Sequence, residues 1–497
     1  MAGRFLGMFR PLSRFLPEVR KPERRVGFNE KLFWTALALA VYFVMAEIPL
    51  YGIGAGGGWD LTALRVIFAS NRGTLMELGI GPIVTAGLIL QLLVGSQMIE
   101  CNMSDPRDRA LFTSASKAFT IIFTGVQASA YIIGGVYGQL AGTTSIIVFL
   151  QLLAAGVVVM LLDELVQKGW GIGSGISLFI LGGVAQRIFW DCFAPTPSID
   201  PTPPIGLSRG VFVALGQAIM NPNVPVVSFA LTHDPETGSL IPAVTNAFIR
   251  ARNYPAVLGF FATVAVFLAV IYAQGVRVEL PMAYAGYRGF RSRYPIKLLY
   301  VSNLPVIFAS ALFANIYFFS QLLWTRFPQG QAPFWVNVFG VFEPQGGNGQ
   351  LQPVGGLVYY VLAPRGILGV LDHPLQAFAY AVIMVAFCIV FSLTWLEVGG
   401  LGPSTIAQQL VDSGMQIPGY RRSRRPIEHL LKRYIPAVTI LGGAIVGLLA
   451  AFSDFFGVFG SGTGILLAVG ILYQYYQLLM QERIAEMYPG FRRLLGE

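Results

Sequence analysis

Apolar residues in this chain come in long, unbroken runs, with no sustained polar/apolar alternation. A helix needs about 20 predominantly apolar residues to cross roughly 30 Å of hydrocarbon. Windows of that length predict ten spans: 32–50, 80–99, 116–137, 144–163, 172–190, 255–274, 298–324, 375–396, 434–453 and 458–480. Continuous runs favour helices over the alternating strands of a membrane barrel. The first run is long for a secretory signal peptide and lacks a small-residue cleavage site, so it is read as retained. Between the first two spans, 59–70 (WDLTALRVIFAS) is amphipathic but too short to cross, and it follows glycines 52, 54, 56, 57 and 58. It reads as an interfacial or re-entrant helix, or as a mobile element on glycine hinges.

Composition supports the pattern. Of 497 residues, 55% are hydrophobic and only 12% charged, with a mean hydropathy of +0.63. Soluble domains carry roughly 25% charged residues, so there is too little charge to cover two or three soluble domains. Soluble enzymes, disordered chains and free nucleic-acid binders are excluded. The net charge of +9 then needs a location, because basic groups are costly inside a membrane. With the N-terminus inside, the inner segments hold 26 Lys/Arg and the outer segments 7, and Arg187 completes the 34. The positive-inside rule therefore places both termini in the cytosol. Ten spans with a long outer loop after the fifth suggest two inverted halves of five: 1–190, a linking loop 191–254, and 255–497.

Candidate chemistry is sparse. His233, His373 and His429 lie in separate loops, and no zinc-protease or facial-triad spacing occurs. GIGAGG at 52–57 matches a dinucleotide fingerprint but follows a membrane span rather than a strand. Cys101, Cys192 and Cys388 form no disulfide framework. No catalytic set, nucleotide site, metal site or cofactor is expected. The middles of the spans lack Asp, Glu, Lys and Arg, and Glu47, Arg187 and Asp454 fall near ends. Ion-coupled transporters need ionisable groups near the midplane, so a secondary transporter of a small solute is the weaker alternative. Thr85, Gln91, Gln127 and Asn303 read either as helix–helix glue or as a polar seam that opens and closes. The inner loop 275–297 alternates V-R-V-E-L, which predicts a projecting hairpin. Loop 397–433 clusters Arg421, Arg422, Arg424 and Arg425. These charges serve topology or bind a phosphate-rich surface. The stretch 4–20 is basic and amphipathic, suited to the inner leaflet.

Several stretches resemble the SecY family, the channel subunit of the Sec protein translocon, in its archaeal and eukaryotic branch. They are GIGPIVTAGLILQLLVGS (79–96), LDELVQKGWGIGSGISLFI (162–180), RVELP (277–281), YPIKLLYVSNLPVI (294–307) and GSGTGILL (460–467). The resemblance implies an all-α polytopic fold, ten helices in two inverted five-helix halves around an hourglass pore. It implies a channel that passes unfolded secretory polypeptides and releases transmembrane segments laterally. It also implies a pore ring of Ile80, Val84, Ile176, Ile180, Leu304, Ile307 and Leu467, and a lateral gate carrying Thr85, Gln127 and Asn303. The plug would be 59–70, through Trp59, Leu61, Leu64, Val66, Ile67 and Phe68. Arg277, Arg288 and Arg421 match ribosome-contacting positions. The implied partners are SecE-type and Sec-beta-type small subunits, the ribosome, signal peptides and nascent chains, the lipid bilayer and, indirectly, the signal recognition particle receptor. The implied location is the plasma membrane.

Overall fold

The computed structural model describes residues 16–24, 26–53, 73–95, 98–99, 106–134, 137, 142–195, 208–220, 231–233, 240–242, 255–284, 291–301, 304–325, 327, 333–345, 350–364, 366–416 and 424–487. Helices fall on all ten predicted spans: α1 (Phe28–Glu47), α2 (Gly81–Gly95), α3 (Pro106–Ile133), α4 (Gly142–Leu165), α5 (Gly175–Phe193), α7 (Val257–Gly275), α8 (Leu304–Thr325), α12 (Pro374–Val398), α14 (Arg424–Phe455) and α15 (Gly462–Met487). Eight are long and apolar enough to cross a membrane. The others are α2, with 15 residues, and α3, whose first half carries Arg107, Asp108, Arg109 and Lys117. At 1.5 Å per residue α2 extends only about 22 Å. The prediction of 80–99 overshot because Met98 and Ile99 lie in a bend rather than a helix, while the approach to α2, 73–80, is a run of turns.

The segments expected as plain outer loops contain structure of their own. They hold helices α6 (Val211–Met220), α9 (Phe334–Phe339), α10 (Leu357–Val361) and α11 (Gly366–Asp372), and hairpins β1–β2 (Leu231–His233, Leu240–Pro242) and β5–β6 (Val341–Gln345, Gln350–Gly355). On the other loops are the hairpin β3–β4 (Arg277–Tyr284, Arg291–Lys297), helix α13 (Pro403–Asp412) and strand β7 (Met415–Gln416), which pairs with β3.

The contacts divide the chain into two compact units, neither of them one continuous stretch. One comprises Met1–Arg187, Ala311–Tyr359 and Ile471–Glu497; the other, Ile188–Ser310 and Tyr360–Gly470. In the first, Tyr42 of α1 stacks on Phe179 of α5 with ring centroids 4.7 Å apart. Leu90 of α2 packs with Ala115 of α3 and with Ile99. In the second, Leu280, Met282 and Ile296 of the β3–β4 hairpin share a core with Ile406 and Leu410 of α13 and Ile427, Leu431 and Ile435 of α14. The period-2 alternation of a strand explains the split: Leu280 and Met282 face the core, and Arg277, Glu279 and Pro281 face away.

Hydrocarbon offers no hydrophobic drive for two helices to meet, so close packing must supply it. The GxxxG spacing of Gly443 and Gly447 on α14 lets that helix lie directly on α12. A Cβ on Gly447 would stand 2.8 Å from the Val385 Cα, and one on Gly443 would stand 2.6 Å from the Ser392 Oγ. Replacing Gly447 by Leu is expected to lower stability by roughly 1–3 kcal/mol through overpacking. The midpoint of thermal unfolding in detergent measures this, with Leu441→Ala on the exposed side of α14 as the near-neutral control.

Candidate functional site

The predicted pore positions divide between the two units. In the first, Ile80 and Val84 sit one turn apart at the start of α2, where Val84 donates its N–H to the Ile80 carbonyl at 3.1 Å. Ile80 is fully buried and Val84 partly so. Ile176 and Ile180 are likewise i and i+4 on the first turns of α5 and therefore share a helix face. In the second unit Leu304 and Ile307 open α8 at i and i+3, both partly buried. Leu467, in the second turn of α15, is fully buried, as is its neighbour Leu466. Each of these side chains is a branched, uncharged aliphatic group. Such a set can contact a passing chain without hydrogen-bonding to any particular sequence.

The position of Ile176 is set by a turn whose ligands the sequence reading missed. After α4 the chain makes a π-helical turn, Val166–Trp170, and then a short glycine-rich bend before α5 begins. Asp163, buried near the end of α4, accepts the N–H of Ile176 at 2.9 Å and is held from the other side by Gln167 Nε2 at 2.8 Å. Thr35 of α1 accepts the N–H of Ile172 at 2.9 Å. Tyr475 of α15 donates its hydroxyl to the Ser174 carbonyl at 2.8 Å. Gly173 adopts φ +78°, and a Cβ there would meet the Tyr475 ring at 3.0 Å, so glycine is required on both counts. Three helices therefore supply side chains to the free backbone groups of one turn, and that turn starts the helix carrying Ile176 and Ile180. The available signal was an acid eight residues before the GIGSG bend, legible only once the bend is known to fold back onto α4.

At the same end of α4, Glu164 pairs with Lys117 of α3 and, at 2.8 Å, with Lys168. Lys168 also donates to Glu18 and to the Val19 carbonyl, and Trp170 donates to the Arg20 carbonyl at 2.8 Å. The hydrogen bond from Lys168 holds the Glu18 carboxyl below the usual carboxylate range. Residues 16–20 are thus strapped to the end of α4.

Among the gate candidates, Thr85 is buried with no hydrogen-bond partner for its hydroxyl among the described residues, and Gln127 is half-buried on α3. Gln91 Oε1 is also buried without a partner among the described residues. Asn303, the plug segment with Trp59, Leu61, Leu64, Val66, Ile67 and Phe68, and the loop residues Arg288 and Arg421 lie outside the described residues.

Arg277 is exposed on β3, where its guanidinium lies 3.3 Å from Glu279. Arg293 on β4 donates to the same carboxylate at 2.8 Å. That hydrogen bond, with the charges of both guanidiniums, holds the Glu279 carboxyl below its ordinary range. Arg293 was missed as a candidate. It lies on the same outward face as Arg277 because the register pairs Arg277 with Lys297 and Pro281 with Arg293.

Near the far end of α14, Asp454 accepts the Tyr380 hydroxyl at 2.8 Å and the Gly462 N–H at 2.7 Å. Within the ten predicted spans, the described acids and bases lie near the ends, among them Lys117, Asp163 and Arg187.

A bundle of apolar helices with aliphatic candidates at helix starts, and with its charge confined to the ends and to an exposed hairpin, belongs to the class of polytopic α-helical membrane proteins with an uncharged interior. Comparison with known proteins narrows the class. The SecY family model matches residues 74–476, and the model for the plug domain of Sec61p matches 41–73. The chain belongs to the SecY family. A solved structure described as "The structure of a protein conducting channel" is 36% identical, with a TM-score of 0.78 over 97% of this chain and 98% of that one. Another, concerning how the SecY plug domain stabilises the closed state and maintains a membrane seal, is 36% identical with a TM-score of 0.76 over the same shares. Sec61 in the canine ribosome-channel complex from the endoplasmic reticulum is equally similar: 36% identity and a TM-score of 0.76, again over 97% and 98%. The ten-helix count fits this family, and the small-solute transporter alternative finds no support among these matches.

Asp163 yields a direct test. Changing it to Ala leaves the Ile176 N–H without its acceptor in a buried turn, which is expected to cost about 1–3 kcal/mol. Asp163→Asn, which keeps an oxygen for Ile176, is expected to recover most of that loss. Detergent-phase unfolding midpoints of the two variants, compared with the parent, measure both.

Proposed function

We propose that this chain is a protein-conducting channel that passes unfolded secretory polypeptides across a membrane and releases transmembrane segments sideways into lipid. The observation that carries this reading is family membership over 74–476, together with a plug-domain match immediately before it. The wholly aliphatic character of the candidate ring is the physical counterpart.

Ile80, Val84, Ile176 and Ile180, with Leu304, Ile307 and Leu467, are proposed to form the constriction. Aliphatic side chains disfavour water and ions in a narrow throat, yet they yield to a polypeptide of any sequence. Residues 59–70 are proposed as the plug. Thr85, Gln127 and Asn303 are proposed as the seam of the lateral gate, within two five-span halves meeting at the 191–254 loop.

Energetics explain how such a gate selects. A Leu, Ile, Phe or Val at the centre of a membrane helix is favourable by roughly 0.3–0.6 kcal/mol, whereas one Asp, Lys or Arg costs roughly 2.5–3.5 kcal/mol. One charge therefore cancels about six apolar residues, and partitioning through an opened seam sorts spans from secretory segments without a binding site.

The driving force is assigned to a translating ribosome or another partner. Two small subunits of the SecE and Sec-beta types, signal peptides and nascent chains complete the assembly, with the signal recognition particle receptor acting indirectly. Both termini are placed in the cytosol on the strength of the 26-to-7 bias of basic residues, and the protein is placed in the plasma membrane on the strength of the sequence's resemblance to the archaeal branch of the family.

A photo-crosslinking residue at position 84 or 180 is expected to capture a ribosome-stalled secretory chain, and one at exposed Phe261 on α7 is not. Absence of capture at both 84 and 180 would overturn the assignment of the constriction. The hairpin offers a second test, because phosphate recognition by clustered arginines weakens with salt. Reversing Arg277 and Arg293 to Glu is expected to weaken ribosome binding, with the deficit largest at low salt and shrinking as salt is raised. Glu279→Gln, which releases both guanidiniums, is expected to strengthen it. Because the Glu279 carboxyl titrates below the ordinary range, its ion pairs are intact above the unfolded-state value and are lost only as pH falls through the lowered one. The difference between E279Q and the parent is therefore expected to persist across neutral pH and to close only in acid.

A further inference from the structure

The six-residue helix α9 presents an apolar face that the described residues leave largely open. Phe334 is 83% exposed, Val338 51%, Trp335 50% and Phe339 44%, while Val336 on the opposite side is buried. A helix this short does not persist alone in water. It is held in place because Gly340, at its end, lies directly on α8: a Cβ there would meet the Ser320 Oγ at 2.5 Å. Ser320 is five residues before Thr325, the last residue of α8, so this contact lies about 7–8 Å inside the end of the spanning helix.

We infer that α9 is an interfacial lipid anchor, bedded by Phe334, Trp335, Val338 and Phe339 at the headgroup–acyl boundary beside the end of α8. Depth is the first argument: interfacial helices bury their apolar faces about 5–10 Å into that boundary, matching the level at which Gly340 meets Ser320. Charge is the second. Residues 327–342 contain no charged side chain, the run lying between Arg326 and Glu343. The rim of a surface built for a protein partner is polar and rich in charge around its apolar centre, whereas α9 carries a single polar side chain, the uncharged Asn337. Continuity is the third argument. Phe319, next to Ser320 on α8, is itself 49% exposed, so the spanning helix offers apolar surface at the level where Gly340 meets it. Aromatic rings mark the same level: Phe327 meets Trp335 edge-on at 6.4 Å, and Trp324 in the last turn of α8 lies 6.3 Å from Phe342. Tryptophan at that height is the usual marker of a membrane–water interface. The inference rests on α8 crossing the membrane and is independent of the pore assignment.

The full-length protein and its Trp335→Phe variant, each reconstituted in phosphatidylcholine vesicles, provide the test through the difference between their tryptophan emission spectra. The difference spectrum is expected to be blue-shifted and quenched by acyl-chain bromines, more strongly when they lie near the headgroup than near the methyl end. Aqueous acrylamide is expected to affect it little. Strong acrylamide quenching with no effect of brominated lipid would overturn the inference, since Trp335 would then face water. Shielding from both probes would overturn it equally, because protein would then cover the helix. Introducing charge with Phe334→Asp and Val338→Asp is expected to raise acrylamide access to Trp335 several-fold, and no change in access would count against the anchor.

Discussion

Within hydrocarbon, every backbone N–H and C=O must find a partner in the chain itself, and this architecture follows from that requirement. It makes the spans helical, and it also governs the polar side chains they carry. Thr120, Thr124, Thr263, Ser310, Thr394 and Thr439 each donate to the carbonyl four residues back, so their hydroxyls cost little in an apolar setting. Where the backbone leaves the helix, side chains take over. The bend after α4 is the clearest case, with Asp163, Thr35 and Tyr475 each bonded to a main-chain group that the missing helical turn would otherwise have satisfied. The same bend sets the start of α5, so the helix bearing Ile176 and Ile180 is positioned by hydrogen bonds rather than by apolar packing alone.

Glycine plays the corresponding role between helices. Lipid tails are as apolar as leucine, so helices in a membrane gain from meeting only when their backbones come close. Gly443 and Gly447 let α14 lie on α12, and Gly156 lets α4 lie against Thr124 of α3, where a Cβ would stand 2.6 Å from the threonine methyl. Charged groups are kept at the margins and paired there. Glu164, Lys117 and Lys168 cluster at the end of α4, and Glu279 is shared between Arg277 and Arg293 on the hairpin. An interior without fixed charge suits a conduit that binds no particular cargo, and an exposed basic hairpin suits a polyanionic partner.

Legibility followed the physics of each feature. Ten runs of about 20 apolar residues could be read directly, because length against bilayer thickness is a one-dimensional test. The β3–β4 hairpin was legible from the alternation in V-R-V-E-L, a period that no membrane helix shows. The short α2 was overestimated because the apolar run includes Met98 and Ile99, which lie in a bend. The elements α6, α9 and β5–β6 were read as plain loop because each is shorter than the window that periodicity needs. Arg293 was overlooked because only strand register, pairing Pro281 with Arg293, puts it on the face of Arg277.

By itself, then, the sequence determined that this is a multi-pass helical membrane protein, roughly where its spans run and which side is basic, since transfer free energy and net charge are sums over local composition. Its motifs also determined the family, because long ordered matches carry more information than composition does. Tertiary structure alone decided which buried acid caps which helix, which glycines stand where backbones touch, and that the exposed α9 lies level with the last turns of α8. Those facts depend on residues far apart in the chain: Asp163 reaches a turn thirteen residues on, and Tyr475 reaches Ser174 across 301. Contacts of that kind are settled when the helices pack, and no reading of local pattern contains them.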